Sequence, residues 1–356
     1  MLGDLLKKVG STLEAIRTNP GSILPVVTAP DYRLALVTDG GEQDLTPLIR
    51  QHLVSLDITD NRTGHSDQLT LVLEDTRGDI EIPPSGAKLK ASIGWKGEAL
   101  VDKGTFEVQE ATHSGPPDLI TIVAYSAGLA GPLTEKKNRS WHGVALGEMV
   151  ATIASEAELI PRVSAVFSQE SIPHIDQTDE SDINLLSRIA ERLDALCTVK
   201  AGFLLFLPAG RHISASGQNL PPALITRSDS DTHTWRSPTR DRYTGVLCRW
   251  RNTRKNRNEE YTAGLQGRRK QLRGTYPTEH EAKRAAEAEW RRLQRDNFTL
   301  ELTLDKARPA LTAETPVICQ GWGKPQIDGV AWLVVSVALS LSDSGLTQRL
   351  SLEQLP

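Results

Sequence analysis

The sequence predicts a mainly β protein with α+β character: two similar small antiparallel β-barrels flanking a mixed α/β module. Three observations carry this expectation. Apolar residues alternate with period two from Tyr32 to Ala130 and again over the C-terminal third. Helical spacing replaces that period between residues 144 and 193. Two stretches, one near each end, repeat the same anchors at nearly the same spacing.

Residues 1–30 read as an arm. Leu2, Leu5, Leu6, Val9, Leu13 and Ile16 recur at helical spacing until Asn19-Pro20-Gly21 ends the run. Such a helix docks either on its own chain or on a neighbouring subunit. Residues 31–130 form the first barrel domain. Its runs LVSLDITD, DQLTLVLED, AKLKASIGW, GTFEVQEATHS and DLITIVAYSA are short strands parted by Gly, Pro, Asp and Asn clusters.

Residues 131–235 form the α/β module. Val144 to Leu159 is a helix with Leu146, Met149, Val150, Ile153 and Ala154 on one face, and PRVSAVF is a strand. Ser181 or Asp182 caps a second helix whose apolar stripe is Ile183, Leu186, Ile189, Ala190 and Leu193. CTVKAGFLLFLP and HISAS follow as strands. Residues 236–356 form the second barrel domain, with an inserted basic hairpin and a helix over 278–295. RYTGVLCRWRN and EEYTAGL are its first strands. Behind Pro277, Thr278 and Glu281 make a capping box, and Ala282, Ala285, Ala286 and Trp290 line the apolar side of the helix.

The internal repeat aligns DQLTLVLED from Asp67 with DNFTLELTLD from Asp296, and GAKLKASIGW with ETPVICQGW. VDKGTFEVQEATHS then aligns with IDGVAWLVVSVALS, and DLITIVAYS with LTQRLSLEQ. Asp67 to Trp95 spans 28 residues and Asp296 to Trp322 spans 26. Trp95 to Phe106 is 11 residues, and Trp322 to Trp332 is 10. Three anchors at matched spacing point to one barrel occurring twice.

Composition is that of a globular chain of two to four domains: 356 residues, 38% hydrophobic, 24% charged, net charge −4. No apolar run is long enough to span a bilayer. Asp4, Lys7 and Lys8 interrupt any secretory apolar core at the N-terminus. The net charge hides an asymmetry. Arg236 to Arg273 holds 12 Lys/Arg against 3 acidic residues, a local +9 inside a −13 remainder. A uniformly basic nucleic-acid binder is excluded, whereas a basic segment with a specific job is not. Cys197, Cys248 and Cys319 lie about 50 and 70 residues apart with no C-x-x-C pair, which argues for buried thiols over a disulfide framework or a zinc site.

Catalytic patterns are thin. The phosphate-loop, dinucleotide, zinc-protease and serine-elbow motifs are all missing. His174 with Asp176 sits beside a proline in a turn-like stretch. Asp229 and Asp231 resemble the start of a calcium loop without its glycine or distal Glu. Glu180 and Asp182 can be drawn as a hydrolytic carboxylate pair, but just ahead of a helix they read better as capping and dipole complement. No catalytic, cofactor or metal residue is assigned. The basic stretch CRWRNTRKNRNEEYTAGLQGRRKQLR interleaves Arg with Trp250 and Tyr261, a pattern suited to phosphate contacts with stacking. It equally suits a solvated hairpin tip, or a surface facing an acidic partner or a DNA-passing channel.

These residues resemble a known family, the late control gene D proteins that form the baseplate hub of contractile phage tails. The resemblance rests on LVSLDITDNRTGHSDQLTLVLED (53–75), GAKLKASIGW (86–95), GTFEVQEATHSGPPDLITIVAYSA (104–127) and WHGVALGEMVATIASEAEL (141–159). It rests further on QTDESDINLLSRIAERLDALCTVKAGFLLF (177–206), with its Gln, Glu-Ser-Asp, Leu, Arg, Ala string, and on IDGVAWLVVSVALSLSDSGLTQRLSLE (327–353). The family is similar to the hub part of type VI secretion spike proteins and to hubs of Mu-like phages and R-type pyocins.

The resemblance implies a structural, non-enzymatic homotrimer whose two barrels per chain build a pseudo-sixfold ring. That ring joins a hexameric tail tube to a trimeric spike, with other baseplate proteins around it and DNA passing through the lumen. The relatives that continue into a β-helical spike differ from this chain, which stops at Pro356, so the spike is expected to be a separate polypeptide. The expected location is the virion tail baseplate, after assembly in the host cytoplasm. Leu69, Leu71 and Leu73 and their counterparts Phe298, Leu300 and Leu302 are expected to pack within equivalent barrels, with Trp95 and Trp322 at equivalent positions. Arg249, Arg251, Arg254, Lys255 and Arg257 are expected on the lumen or a partner surface. The alternative is a nucleic-acid-binding protein using residues 236–273; a second rival is a peptidoglycan hydrolase using Glu180 or Asp182.

Overall fold

Period-two runs become strands because alternate side chains leave opposite faces of the chain, so one face can be buried while the other stays wet. The computed structural model describes residues 29–62, 67–126, 131–200, 202–210, 220–237, 243–295 and 298–355. The arm helix expected from Leu2 to Ile16 and the strand expected over HISAS (212–216) lie outside the described residues.

The first half contains β1 (Pro30–Thr38), β2 (Gly41–Asp44), β3 (Leu53–Asn61), β4 (Gln68–Glu74), β5 (Lys88–Trp95), β6 (Val101–Ser114) and β7 (Leu119–Ser126). They pair in the order β3–β4–β7–β6–β5–β1–β2. In β4 the alternation is plain: Leu69, Leu71 and Leu73 are buried, while Gln68, Thr70 and Val72 are half-buried.

The module follows: β8 (Lys136–Ala145), helix α1 (Leu146–Glu156), β9 (Ile160–Val163), β10 (Ser171–Ser181), helix α2 (Asp182–Leu193), β11 (Ala195–Lys200) and β12 (Phe203–Pro208). β8 and β10 form an antiparallel ribbon, and β11, β12 and β9 a small mixed sheet. Leu146, Met149, Val150 and Ile153 of α1 meet Leu185, Leu186 and Ile189 of α2 over Phe206. The apolar stripe read at helical spacing is therefore the core of this unit. After β9, the expected strand PRVSAVF turns into a helical turn at Ala165–Ser168.

The second half contains β13 (Ala223–Thr226), β14 (Ser230–Arg236), β15 (Gly245–Asn252), β16 (Arg257–Gly264), β17 (Arg269–Tyr276) and helix α3 (Glu279–Arg295). β18 (Thr299–Leu304), β19 (Pro316–Gln320), β20 (Ala331–Ser342) and β21 (Gly345–Gln354) complete it. β15 to β17 form their own three-stranded sheet, packed on α3 through Val246, Cys248, Ala263, Ala282 and Ala286. At the expected capping box the Glu281 N–H donates to Thr278 Oγ1 at 3.2 Å, while the Thr278 hydroxyl donates to the Glu281 carboxylate at 3.0 Å. Gly264, at φ +83°, lets two strands close up: a Cβ there would lie 2.8 Å from the Thr244 carbonyl oxygen and 2.9 Å from the Trp290 ring.

The halves repeat one strand order. The first runs β3–β4–β7–β6–β5–β1 and the second β14–β18–β21–β20–β19–β13. β13 and β14, inside the span read as module, thus pair with the second half. The ladders also slip at matching places. β3 bulges between Leu53 and Ser55, β14 between Ser230 and Thr232; β6 bulges between Val108 and Glu110, β20 between Val334 and Ser336. Below the second bulge the flanking loops make the same bonds. Val108 N–H donates to Ala87 O and Val334 N–H to Thr315 O, at 2.8 and 3.0 Å.

Pairing then runs from one half into the other. β20 holds β19 along its first residues and β3 along its last, with Leu341 opposite Leu56 and Leu339 opposite Ile58. The result is one 13-stranded sheet, and among the described residues neither half closes on itself by strand pairing. The architecture is mainly β, as expected, but the halves are fused along a seam instead of standing apart.

Candidate assembly interface

The seam between β3 and β20 ends in a knot of charge. Just past β3, the Arg62 N–H donates to Val335 O at 3.0 Å, which aims its side chain inwards. The guanidinium binds the Glu353 carboxylate with both Nη atoms, one at 3.1 Å, and lies 3.6 Å from Glu314. From the other side Arg295, at the end of α3, holds Asp194 through Nη1 at 2.9 Å and comes within 3.4 Å of Glu353. Asp194 is itself the left-handed C-cap of α2. Arg62, Glu314, Glu353, Arg295 and Asp194 therefore tie the first half, the second half, α3 and the module together, largely out of water.

Burial pushes the Glu314 carboxyl up to about 7, the neighbouring Glu353 charge adds to the rise, and the Arg62 and Arg295 cations oppose it. Desolvated ions make such a knot a poor source of net stability but a strong specifier, because removing one partner strands the others.

A second polar node joins the module to the first half. Lys200, at the end of β11, reaches the carboxylates of Asp60 and, at 3.5 Å, Asp67. Burial raises Asp67 to about 6 against the pull of Lys200. Between the halves, the Trp95 indole N–H donates to Ala307 O at 2.9 Å and Lys103 reaches Pro309 O.

Inside the module, the residues of the Gln, Glu-Ser-Asp string form one network. Gln177 is buried, accepts from Arg139 Nε at 2.9 Å and donates to Asp182 Oδ1 at 2.8 Å. Asp182, fully buried at the start of α2, holds Lys137 and Arg139, each at 2.6 Å. Ser181 caps the helix and Glu180 pairs with Arg188 at 2.6 Å. The Glu180–Asp182 pair is thus committed to structural partners on different elements, Asp182 to β8 and Glu180 to α2.

The other chemical candidates are similarly placed. His174 stacks on His142 at 4.5 Å between ring centroids on the exposed β8–β10 ribbon, and its Nε2 lies 3.2 Å from Asp176. Asp229 accepts from the Thr226 N–H and pairs with Arg308 at 2.9 Å; Asp231 is the bulge residue of β14. The three cysteines are buried, which pushes their thiols up to about 12, 11 and 12 for Cys197, Cys248 and Cys319.

The strand residues singled out from the repeat lie in the core. Leu69, Leu71 and Leu73 sit on β4 and Leu300 and Leu302 on β18, all buried, while Phe298 precedes β18 and stacks on Trp235 at 5.8 Å. Pairing against β7 and β21 sets the true correspondence two residues further on: Leu69, Leu71 and Leu73 match Leu300, Leu302 and Leu304. Period-two strands align equally well at a shift of two, so only the ladder fixes the choice. Trp95 and Trp322 also part company. Trp95 ends β5 in the core, whereas Trp322 lies beyond β19, edge-on to His233 at 6.1 Å.

The basic end of the β15–β16 hairpin is exposed and internally paired. Arg249 meets Glu260 at 3.2 Å, Lys255 and Arg257 share Glu259 at 2.9 and 3.1 Å, and Arg251 donates to Asn258 at 3.4 Å. Arg254 is exposed at the tip. Hydrogen bonds from Lys255, Asn252 and Arg257 hold Glu259 down to about 2. Local carboxylates thus neutralise part of the charge that would otherwise meet phosphates. The Arg62–Glu353 knot escaped the sequence reading because Glu353 falls on the outward phase of β21, where alternation predicts solvent.

Residues 86–345 match the profile of the phage tail baseplate hub (GPD) family. Two curated relatives are probable baseplate hub proteins: one from Escherichia phage 186 is 37% identical over 91% of this chain and 93% of its own length. The other, from Escherichia phage P2, is 37% identical over 96% of each. Among solved structures, the 43 kDa tail protein of prophage MuSo2 from Shewanella oneidensis superposes with a TM-score of 0.67 at 15% identity, over 90% of this chain and 98% of that one. The E. coli c3393 protein, a type VI secretion system component, superposes at 0.52 with 11% identity, over 86% of this chain and 73% of its own.

Proposed function

The chain belongs to the phage tail baseplate hub family, and we propose that it performs that role as a homotrimer, a pseudo-sixfold ring that joins the hexameric tail tube to a trimeric spike. It is a structural tail component of the virion baseplate. One observation supports the ring: the two halves of each chain share strand order and bulge positions. Three chains of two like halves present six similar units to a sixfold tube and three identical faces to a threefold spike. No single-unit trimer meets both symmetries as simply.

In this reading each half supplies one barrel of the ring, the module braces them, and the charged knot fixes the angle between halves. The partners are the tail tube protein, a trimeric spike and neighbouring baseplate proteins, with assembly in the host cytoplasm. The hairpin cations Arg249, Arg251, Arg254, Lys255 and Arg257 face the lumen or a partner. The ring nucleates tube assembly and carries the contraction thrust to the spike. Native mass and copy number test this: a trimer alone, with the spike, or as three copies per tail is expected. A monomer in all three settings would overturn it.

A further inference from the structure

The β8–β10 ribbon carries a side-chain cluster that the hub role does not use. The ribbon is a two-stranded sheet, a marginal structure by itself. Pro173, between Ile172 and His174, has no N–H to add to its ladder. Beside that gap His174 stands directly opposite His142, and Asp176 directly opposite Ser140. All four residues are exposed on one face, while Trp141 and Ile175 between them pack towards the module core.

The two imidazoles are 4.5 Å apart between centroids and 25° from parallel, and their Nδ1 atoms are 3.0 Å apart. On its other side His174 Nε2 lies 3.2 Å from Asp176 Oδ2, and Asp176 Oδ1 accepts from the Ser140 hydroxyl. The Ser140 bond foremost, and then the two histidines, hold the Asp176 carboxyl below the usual carboxylate range. A carboxylate has no proton to give, so His174 Nε2 carries the hydrogen towards Asp176 and Nδ1 is left bare, facing His142. An imidazole oriented through its outer nitrogen by a carboxylate is the arrangement that holds histidine ligands on metal ions.

We propose that His142 and His174 form a two-nitrogen site for a first-row divalent cation, Cu²⁺ or Ni²⁺ ahead of Zn²⁺, that clasps β8 to β10, with Asp176 as the positioning residue for His174. The spacing selects the ion. With metal–nitrogen bonds of about 2.0–2.1 Å, two ligands at a right angle stand ~2.9 Å apart and two at a tetrahedral angle ~3.4 Å. The 3.0 Å separation matches the right angle of tetragonal Cu²⁺ and Ni²⁺. A small rotation of each exposed ring turns both lone pairs onto one ion. The proton shared between the Nδ1 atoms then moves to the outer nitrogen of His142, and water fills the open positions. Hard cations such as Mg²⁺, which take oxygen ligands, do not suit the pair.

Equilibrium dialysis of the untagged full chain against Cu²⁺, Ni²⁺, Zn²⁺ and Mg²⁺ tests the site. One Cu²⁺ or Ni²⁺ per chain is expected at micromolar metal, with Zn²⁺ weaker and Mg²⁺ unbound. His142→Ala and His174→Ala should each weaken Ni²⁺ binding at least tenfold, and Asp176→Asn by ~10-fold. Ni²⁺ should also raise the thermal midpoint of the wild type and leave that of His142→Ala/His174→Ala unmoved. The electron paramagnetic resonance spectrum of the Cu²⁺-loaded wild type reads the site without any substitution, and splitting from two nitrogens is expected. Splitting from fewer, or affinity unchanged in a double variant that melts like the wild type without metal, would overturn the site. Binding at millimolar metal only would mark an adventitious ion only and overturn it equally. Unchanged affinity in Asp176→Asn would remove Asp176 from its positioning role.

Discussion

Glu314 occupies in the second half the backbone position that Gly86 holds in the first. Both lie in the left-handed region, at φ +68° and +87°, and both N–H groups donate 2.8 Å bonds, to Val334 O and Val108 O. The same turn is made by a glycine in one copy and by a buried glutamate in the other. The glutamate carries a conformational cost that its place beside Arg62 offsets.

Glu314→Ala is therefore expected to lose more stability than Glu314→Gly, by ~1 kcal/mol, because both lose the carboxylate while only glycine accepts the backbone. Urea unfolding of the two variants measures the difference. Equal midpoints would show that the φ angle carries no cost.

Raised carboxyls give the fold a pH dependence of unusual sign. Glu314, lifted from 4.5 to about 7 by burial, binds its proton in the folded chain across a window where the unfolded chain has released it. Unfolding free energy contributed by this group falls as pH rises from 4.5 to about 7 and is flat above. Asp67, beside Lys200 and Asp60, adds the same trend from 3.8 to about 6. Stability of the wild type relative to Glu314→Gln should decline between pH 5 and 7.5, where Arg62, Arg295 and Glu353 are the facing charges. Parallel curves for the two proteins would refute it.

Asp182→Ala should destabilise the chain by ~2–3 kcal/mol, since it strands Lys137, Arg139 and Gln177 around a buried site. Glu180→Ala should cost less than ~1 kcal/mol, its partner Arg188 being solvated. Thermal unfolding separates the two. Cell-wall turnover by the purified chain, abolished by either substitution without unfolding, would instead assign the pair to hydrolysis.

Binding of single- or double-stranded DNA is expected to be weak and to vanish as salt rises, because Glu259 and Glu260 already hold Arg249, Lys255 and Arg257. Filter binding across a salt series, with Arg251→Glu/Arg254→Glu as comparison, measures it. Tight binding at physiological salt, lost in that variant, would favour a nucleic-acid role for residues 236–273.

Much of the fold was legible because burial and period coincide: the β4 leucines, the α1 and α2 stripes and the Thr278–Glu281 cap each announce themselves locally. The repeat was legible as spacing but not as register, since a slip of two leaves every leucine on its own face. What joins the parts was not legible. Arg62, Arg295 and Glu353 sit at positions that local pattern assigns to solvent, and only the approach of α3 and the module encloses them. Gln177 and Asp182 lay between, visible as family residues while their mutual bonds required the β8–β10 ribbon to form.

The long reach of the β3–β20 seam also bears on timing. Its partners are roughly 280 residues apart in the chain, so sheet formation across it is a high-contact-order event. A ribosome-bound chain can complete the strands of its first half, yet β3 must hold one side unpaired until nearly the whole polypeptide has emerged. The step that joins the halves therefore comes last. A truncated product would present that bare strand instead of a finished subunit.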